Sequence, residues 1–131
     1  MGFQWAEKYS VKNRVIDEHH TKLFQLFDEF NNAMEAGKSE AFVKSTLMAI
    51  KEYTFYHFSF EEQLMEIAKY PEYLEHKRLH KGFIEEIDRM MINFGNADTD
   101  VTGKRIYRLL VAWLEDHILV VDQKYESYLH D

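Results

Sequence analysis

The chain has 131 residues, of which 46% are hydrophobic and 30% charged, as is ordinary for one soluble domain with a core of its own. A net charge of −7 and the absence of a basic cluster argue against a nucleic-acid-binding surface. Because there is no cysteine, disulfides, iron–sulfur clusters and thiolate zinc sites are excluded, and any metal must be held by nitrogen and oxygen atoms.

Helices are favoured because the chain has only one proline and five glycines to interrupt them. Glu7 and Lys8 stand where a secretory signal would need apolar residues, and the longest apolar run, residues 109–114, is too short to cross a bilayer. We therefore expect residues 1–131 to form one cytoplasmic domain that does not insert into membranes.

The first part of the chain predicts an arm followed by a helix. Residues 1–16 contain apolar side chains without helical periodicity, which predicts an extended arm laid over a hydrophobic surface. From about residue 17 to residue 36 the apolar residues recur at steps of three and four, and Gly37 suits a C-terminal stop. The apolar stripe of this first helix begins at His20.

Two further helices flank Tyr70-Pro71, where the chain is expected to reverse because proline cannot continue a helix interior. The second helix starts near Ser39, with an apolar stripe that reaches Leu64, and the third runs from near Pro71 to Phe94. Each stripe includes one pair of side chains that can bind metal, His57 with Glu61 and His76 with His80.

Residues 95–100 are rich in turn formers, and a fourth helix follows with an inward stripe from Ile106 to Val121 that includes His117. Four amphipathic segments with short connections predict an all-α fold, an up-down-up-down antiparallel four-helix bundle preceded by the arm. Most aromatic and methionine side chains on the stripes are assigned to the core: Phe24, Phe27, Phe30, Met90 and Phe94.

Five histidines on inward stripes are the unusual feature. A single histidine on an apolar face is more often a satisfied core residue than a ligand, but residues four apart on a helix share a face and can aim two donors at one point. Burying five imidazoles and two carboxylates without partners would be costly, whereas metal ions would satisfy them. The predicted ligand set is His20, His57, Glu61, His76, His80, His117 and Asp122.

Asp122 follows His117 by five residues, a spacing that brings the two side chains together only with some local adjustment of the helix, and a π-bulge would provide it. Seven ligands exceed the needs of one ion. Of the twelve positions around two octahedral ions, five imidazoles and two bridging carboxylates fill nine, and an oxo or hydroxo bridge fills two more, which leaves one for a small ligand. These donors suit iron, and manganese and zinc also accept them.

In order and spacing, these motifs resemble those of the bacterial hemerythrins. The matching blocks span nearly the whole chain: Ile16-Asp17-x-x-His20 with Leu23-Phe24, His57-Phe58-x-x-Glu61-Glu62-x-Leu64-Met65, Tyr70-Pro71, His76-x-x-x-His80-x-x-Phe83, and Trp113-Leu114-x-x-His117-Ile118-x-x-x-Asp122-x-x-Tyr125. The resemblance implies a non-haem di-iron centre that binds O2 reversibly, bridged by an oxo or hydroxo group, Glu61 and Asp122. It also implies a division of the histidines between a saturated iron and the iron that binds O2: His76, His80 and His117 for the first, His20 and His57 for the second.

The resemblance assigns roles to further side chains. Tyr125 matches a tyrosine near the centre and is either a hydrogen-bond partner of a ligand or a buried aromatic whose hydroxyl is satisfied elsewhere. Four apolar residues match the lining of the O2 pocket, a role that is compatible with core packing: Phe58, Trp113, Leu114 and Ile118.

Two residues depart from the family pattern. Lys12 stands near where the arm usually has a glycine, and His19 stands where the motif usually has a glutamine. Because His19 is rotated by about 100° from His20 on a helix, we expect it at the surface or rim. Four other titratable side chains are expected to be solvated: Glu62, Glu85, Glu86 and His130.

The primary functional expectation is a monomeric O2 carrier or store, not an enzyme, with an O2-consuming enzyme as its recipient. The alternative is a module that senses O2, redox state or iron through a protein partner. A di-iron oxidase is less favoured, because ferritin-like sites use four carboxylates and two Glu-x-x-His motifs, and this sequence contains no Glu-x-x-His.

Overall fold

The computed structural model describes residues 5–94 and 99–129, and every regular element in these two ranges is helical. Four long helices make up most of it: α1 (Arg14–Glu35), α2 (Glu40–Ile67), α3 (Tyr73–Asn93) and α4 (Thr99–Asp116). A π-helical segment (His117–Val121), a 3-10 turn (Asp122–Tyr125) and the single-turn helix α5 (Glu126–Leu129) continue α4. Phe3, His130 and most of the predicted turn at 95–100 lie outside the described residues.

The predicted four-helix bundle is confirmed. Helix α1 packs against α2 and α4, and α2 packs against α3. Phe83 of α3 stacks on Trp113 of α4, so helices consecutive in the chain are neighbours in space. The residues assigned to the core, Phe24, Phe27, Phe30, Met90 and Phe94, are all buried. Within the two described ranges, no helix combines the length and the apolar character that a bilayer span requires.

Helix α1 begins at Arg14, three residues before the predicted start. Asn13 is the reason, because its side chain accepts a hydrogen bond of 3.1 Å from the backbone N–H of Ile16 and so satisfies one of the free donors of the first turn. The predicted start near Asp17 was wrong because it relied on apolar spacing alone and overlooked this cap.

The ends of α1 and α2 share one backbone motif. After α1, the N–H of Lys38 bonds to the carbonyl of Ala33 and that of Gly37 to Met34, a Schellman pattern with Gly37 at φ +70°. After α2, Tyr70 bonds in the same way to Met65, but the left-handed position is Lys69, at φ +56°. The reversal before α3 therefore uses a non-glycine residue in a conformation that favours glycine.

The arm packs against the bundle as predicted, although it is not extended throughout. Glu7–Tyr9 form a 3-10 turn, and both Tyr9 and Val11 are buried. The hydroxyl of Tyr9 donates a hydrogen bond of 2.7 Å to Glu115, which fastens the arm to α4. Lys12 has φ +63°, so this position does need the left-handed conformation for which a glycine is better suited.

Candidate metal centre

All seven predicted ligands come together inside the bundle. They arise from every long element: α1 supplies one, α2 and α3 supply two each, and the continuation of α4 supplies the last two. Their side chains are at most 3% exposed. The pairs four residues apart share one helix face, and the Nε2 atom of His57 lies 3.2 Å from Glu61 Oε2.

The side chains form two groups. Within each group the donor atoms lie within 4.8 Å of one another, a spacing at which the group could hold a metal ion. The smaller group consists of His20, His57 and Glu61, and the larger one of Glu61, His76, His80, His117 and Asp122. Glu61 belongs to both, so the two groups are adjacent.

Three imidazoles of the larger group converge on one point. The Nε2 atom of His117 lies 3.1 Å from that of His80 and 3.2 Å from that of His76. Neighbouring nitrogen ligands of an octahedral ion are about 3.0 Å apart when each metal–nitrogen bond is about 2.1 Å. Both distances from His117 are therefore close to the edge of a coordination octahedron.

The two carboxylates each direct one oxygen to either group. Glu61 Oε2 lies 3.2 Å from His57 and 3.6 Å from His20, while Oε1 lies 3.2 Å from His80 and 3.4 Å from His76. Asp122 repeats the division, with Oδ2 3.3 Å from His20 and Oδ1 3.0 Å from the Nε2 atoms of both His76 and His117. This is the arrangement that two bridging carboxylates require.

The predicted π-bulge is present and brings Asp122 to the cluster. Residues 117–121 are π-helical, and the backbone N–H of Asp122 bonds to the carbonyl of His117 five residues earlier. In a regular α-helix, residues five apart diverge around the axis, whereas the wider turn aligns them. The carboxylate thus lies 3.0 Å from the imidazole of His117.

Several donor atoms of the cluster lack a hydrogen-bond partner among the described residues. They are both ring nitrogens of His20, Oε1 of Glu61 and both oxygens of Asp122, all fully enclosed. Some of them lie near one another, but their angles do not suit hydrogen bonds. Unpartnered buried polar atoms are rare and costly. Metal ions would satisfy these atoms at once, so the residues present fit a metal centre.

The electrostatics of the metal-free cluster agree with this fit. Burial opposes ionisation of Glu61 and Asp122, yet the surrounding imidazoles hold the pKa of each carboxyl well below its usual range. For His20 and His76, contacts to the two carboxylates outweigh burial and raise the pKa to about 9 and about 10. In the metal-free cluster, the positive charges of protonated His20 and His76 therefore balance the negative charges of the two carboxylates.

Comparison with known proteins identifies the family. The family model "Hemerythrin HHE cation binding domain" matches residues 11–129. The chain belongs to the hemerythrin family. It is similar to the bacteriohemerythrin of Stenotrophomonas maltophilia (31% identity over 92% of this chain and 77% of that protein) and to hemerythrin subunit alpha of Lingula reevii (34% identity over 97% and 95%). A crystal structure of wild-type hemerythrin has the same fold, with a TM-score of 0.84, 22% identity and 98% coverage of both chains.

Tyr125 of this hemerythrin domain contacts the cluster directly. Its hydroxyl donates a hydrogen bond of 2.5 Å to Glu61 Oε2, and the residue is fully buried. Burial and the two nearby carboxylates raise the pKa of Tyr125 well above its ordinary value, so the hydroxyl keeps its proton and acts as a donor. Of the two roles left open by the sequence, the structure shows the hydrogen bond to a predicted ligand.

Glu62 was wrongly expected to be solvated. Its carboxylate lies 2.8 Å from Nδ1 of His80, whose Nε2 faces the cluster, and its side chain is only 19% exposed. A carboxylate on the outer nitrogen fixes the tautomer and the ring orientation of a ligating histidine. The sequence did contain a signal for this contact, the adjacent pair Glu61-Glu62, because α3 packs against α2 and His80 of α3 contacts both carboxylates.

The other two glutamates expected to be solvated are more open. Glu85 is exposed, and Glu86 is half-buried and pairs with Arg89.

His19 was also misplaced by sequence reasoning. It is 8% exposed and not a surface residue, and its Nδ1 lies 2.9 Å from Nδ1 of His57. Because α1 contacts α2 as well as α4, a wide arc of α1 is covered, and a rotation of about 100° from His20 does not reach solvent. Burial lowers the pKa of His19, which favours the neutral ring.

Two of the four residues of the predicted apolar lining stack on histidines of the larger group. Phe58 stacks on the ring of His80 with centroids 3.6 Å apart, and Trp113 stacks on His117 with centroids 4.4 Å apart. Leu114 and Ile118 are buried on either side of His117 in the sequence. Phe58, Leu114 and Ile118 belong to one buried apolar cluster, against which Trp113 packs.

Proposed function

We propose that this hemerythrin domain binds O2 reversibly at a non-haem di-iron centre and acts as an oxygen carrier or store, and not as an enzyme. The observation that carries the proposal is the division of the buried donors. Two histidines lie on one side and three on the other, and each of two carboxylates presents one oxygen to either side. Such a set suits two ions with unequal protein ligation.

The unequal split supports a small-ligand site. In the proposed assignment His76, His80 and His117 hold one iron, His20 and His57 hold the other, and Glu61 and Asp122 bridge them, with an oxo or hydroxo group as the third bridge. The iron with two histidines keeps one position free. A pair of ferrous ions supplies the two electrons that reversible O2 binding uses.

The protein itself supplies enclosure. The ring of Phe58 borders both groups, since it stacks on His80 and its centroid lies 5.9 Å from that of His57. Trp113 stacks on His117, and Leu114 and Ile118 belong to the same buried apolar cluster as Phe58. An apolar wall keeps bulk water and protons from the bound ligand, which favours release of O2 over oxidation of the metal. Membership of the hemerythrin family and similarity to a bacteriohemerythrin and to a hemerythrin subunit alpha support the same function.

The decisive experiment is a visible spectrum of anaerobic protein loaded with about two ferrous ions per chain, recorded while O2 is admitted and then purged. We expect an absorption band that grows with O2 and disappears on purging over repeated cycles. Irreversible conversion to a ferric spectrum would contradict the proposal and favour an oxidase or redox sensor. His76→Ala is the matched negative control. It removes an imidazole whose Nε2 lies near one oxygen of Glu61 and one of Asp122, so it should impair assembly of the pair of iron ions.

A second measurement separates carriage from sensing. A carrier should bind no protein partner in an O2-dependent manner, whereas a sensor should.

We also propose that residues 1–131 act as a single monomeric domain in the cytoplasm, with O2-consuming enzymes as recipients. Sedimentation of the loaded protein tests the monomer.

A further inference from the structure

We propose that His19 is a positioning residue for His57: it accepts a hydrogen bond from the Nδ1–H of His57 and so holds the opposite nitrogen of that ring toward the metal centre. The proposal rests on the di-iron centre proposed above. It assigns a role to a buried histidine that is not itself in either group of candidate ligands.

The two nitrogens of His57 have different surroundings. Nε2 faces the cluster, 3.2 Å from Glu61 Oε2, and Nδ1 faces away from it, 2.9 Å from His19 Nδ1. The ring therefore lies between a predicted bridging carboxylate and a second imidazole. A contact at each end leaves it little freedom to rotate or flip.

The direction of the hydrogen bond follows from counting protons. Two Nδ1 atoms at 2.9 Å can share only one hydrogen, so one ring donates and the other accepts. A nitrogen that binds a metal carries no hydrogen, so neutral His57 must keep its single hydrogen on Nδ1. His19 is then the acceptor and carries its own hydrogen on Nε2.

The position of His19 is itself fixed by aromatic rings. The rings of Tyr53, Tyr56 and Phe60 have their centroids 5.9, 5.4 and 4.8 Å from that of His19. All three belong to α2, as does His57, so the acceptor is clamped against the helix that carries the ligand. This enclosure leaves His19 only 8% exposed and limits competition by water for its lone pair.

The contact has a counterpart on the other side of the centre. His80 is held through its Nδ1 by the carboxylate of Glu62 at 2.8 Å, whereas His57 is held by an imidazole. Each proposed iron thus has one histidine ligand whose outer nitrogen is anchored. On the side with fewer ligands the anchor is His19, which adds no negative charge.

Two substitutions whose new side chains have nearly the same shape as each other test the role. His19→Asn retains an acceptor, since its Oδ1 branches from the side chain where Nδ1 does, and His19→Leu removes it. Phe60→Leu is the control for packing, because it loosens the same enclosure without touching the hydrogen bond. Each apo protein is titrated with ferrous ion under argon, in competition with a chelator. Proton NMR of the ferrous-loaded proteins then follows the exchangeable imidazole N–H signals, one for each ligating histidine.

For His19→Leu we expect the dissociation constant of one of the two ferrous ions to rise by about 10- to 100-fold and one N–H signal to move or disappear. His19→Asn and Phe60→Leu should stay within about threefold of the unmodified protein, since each leaves an acceptor for His57 in place. If His19→Leu kept the ferrous affinity and the N–H signals of the unmodified protein, the role of His19 would be overturned while the proposed centre would stand. A loss in Phe60→Leu as large as that in His19→Leu would also overturn it, in favour of general packing. If the unmodified protein held no pair of ferrous ions, the proposed centre itself would fail.

Discussion

Tyr125 and Glu61 lie 64 residues apart in the sequence, and a hydrogen bond of 2.5 Å joins the hydroxyl of the first to Oε2 of the second. The contact ties the last turns of the chain to the middle of α2, at the oxygen that faces His20 and His57. Its donor is fully buried and its acceptor is a carboxylate, so it belongs to the stronger class of hydrogen bonds. It connects the end of the fold to the centre.

Tyr125→Phe should therefore destabilise the metal-free protein by about 1.5–3 kcal/mol, the contribution of a hydrogen bond to a charged group. Urea unfolding of the apo protein measures the free energy of unfolding. Tyr128→Phe is the matched control, because it removes the same hydroxyl from a side chain that is 46% exposed. Equal losses in the two variants would show that the hydrogen bond to Glu61 contributes nothing particular.

Glu62→Ala should weaken iron retention by about 10- to 100-fold, because His80 loses the carboxylate that orients its ring. The measurement is chelator competition against the ferrous-loaded protein. Glu66→Ala is the control, since Glu66 is exposed and lies one turn further along the same helix. If the two variants released iron alike, the 2.8 Å contact would have no part in holding the ligand.

Much of the fold and of the candidate site could be predicted from the sequence. Helical spacing located the four long helices, and the five-residue interval from His117 to Asp122 predicted the π-helical segment, because no regular helix aligns those two positions. Spacing of four within α2 and α3 placed each pair of predicted ligands on one helix face. These inferences needed only the geometry of a single helix.

The errors arose where two helices meet. His19 and Glu62 each follow or precede a predicted ligand by one residue, so a rotation of about 100° suggested solvent. How much of a helix is covered depends on how many neighbours it has, and one sequence does not show that. Both residues contact the outer nitrogen of a histidine on another helix, a relationship that only the packed structure reveals.

Lys69→Gly should stabilise the protein by about 1 kcal/mol, because Lys69 has φ +56° at the end of α2 and glycine adopts this conformation without strain. The reciprocal change, Gly37→Lys at φ +70°, should cost about as much, since a Cβ added there meets no atom within 4 Å and only the backbone conformation matters. Urea unfolding of both variants tests the pair. Changes of the same sign would contradict a backbone cause.

Metal loading with a hydroxo bridge should release about three protons per chain at pH 7, two from histidines and one from the water that becomes the bridge. His20 and His76 have pKa values raised to about 9 and about 10 in the metal-free cluster, so both are protonated at pH 7 and must lose their protons to bind metal. The carboxyls of Glu61 and Asp122 contribute none, because their pKa values are held well below the usual range. Affinity should therefore rise with pH between 6 and 8 by about tenfold per unit for each proton released. A pH-indicator dye in weakly buffered, anaerobic protein counts the protons as ferrous ion is added, and a count of about one, from the bridging water alone, would contradict the charge state assigned to the two histidines.

Leu114→Ala should leave the iron content intact and hasten oxidation of the oxygenated protein, because a smaller side chain in the apolar cluster one turn before His117 admits water. Leu110→Ala removes the same atoms from an equally buried site one turn earlier in α4, further along the chain from the ligands. Both variants should lose about 2–5 kcal/mol of stability, as is usual when a buried leucine is truncated. Only Leu114→Ala should shorten the lifetime of the oxygenated spectrum at a temperature where both remain folded. If Leu110→Ala shortened it as much, a general loosening of the bundle, and not the wall at Leu114, would control access of water to the centre.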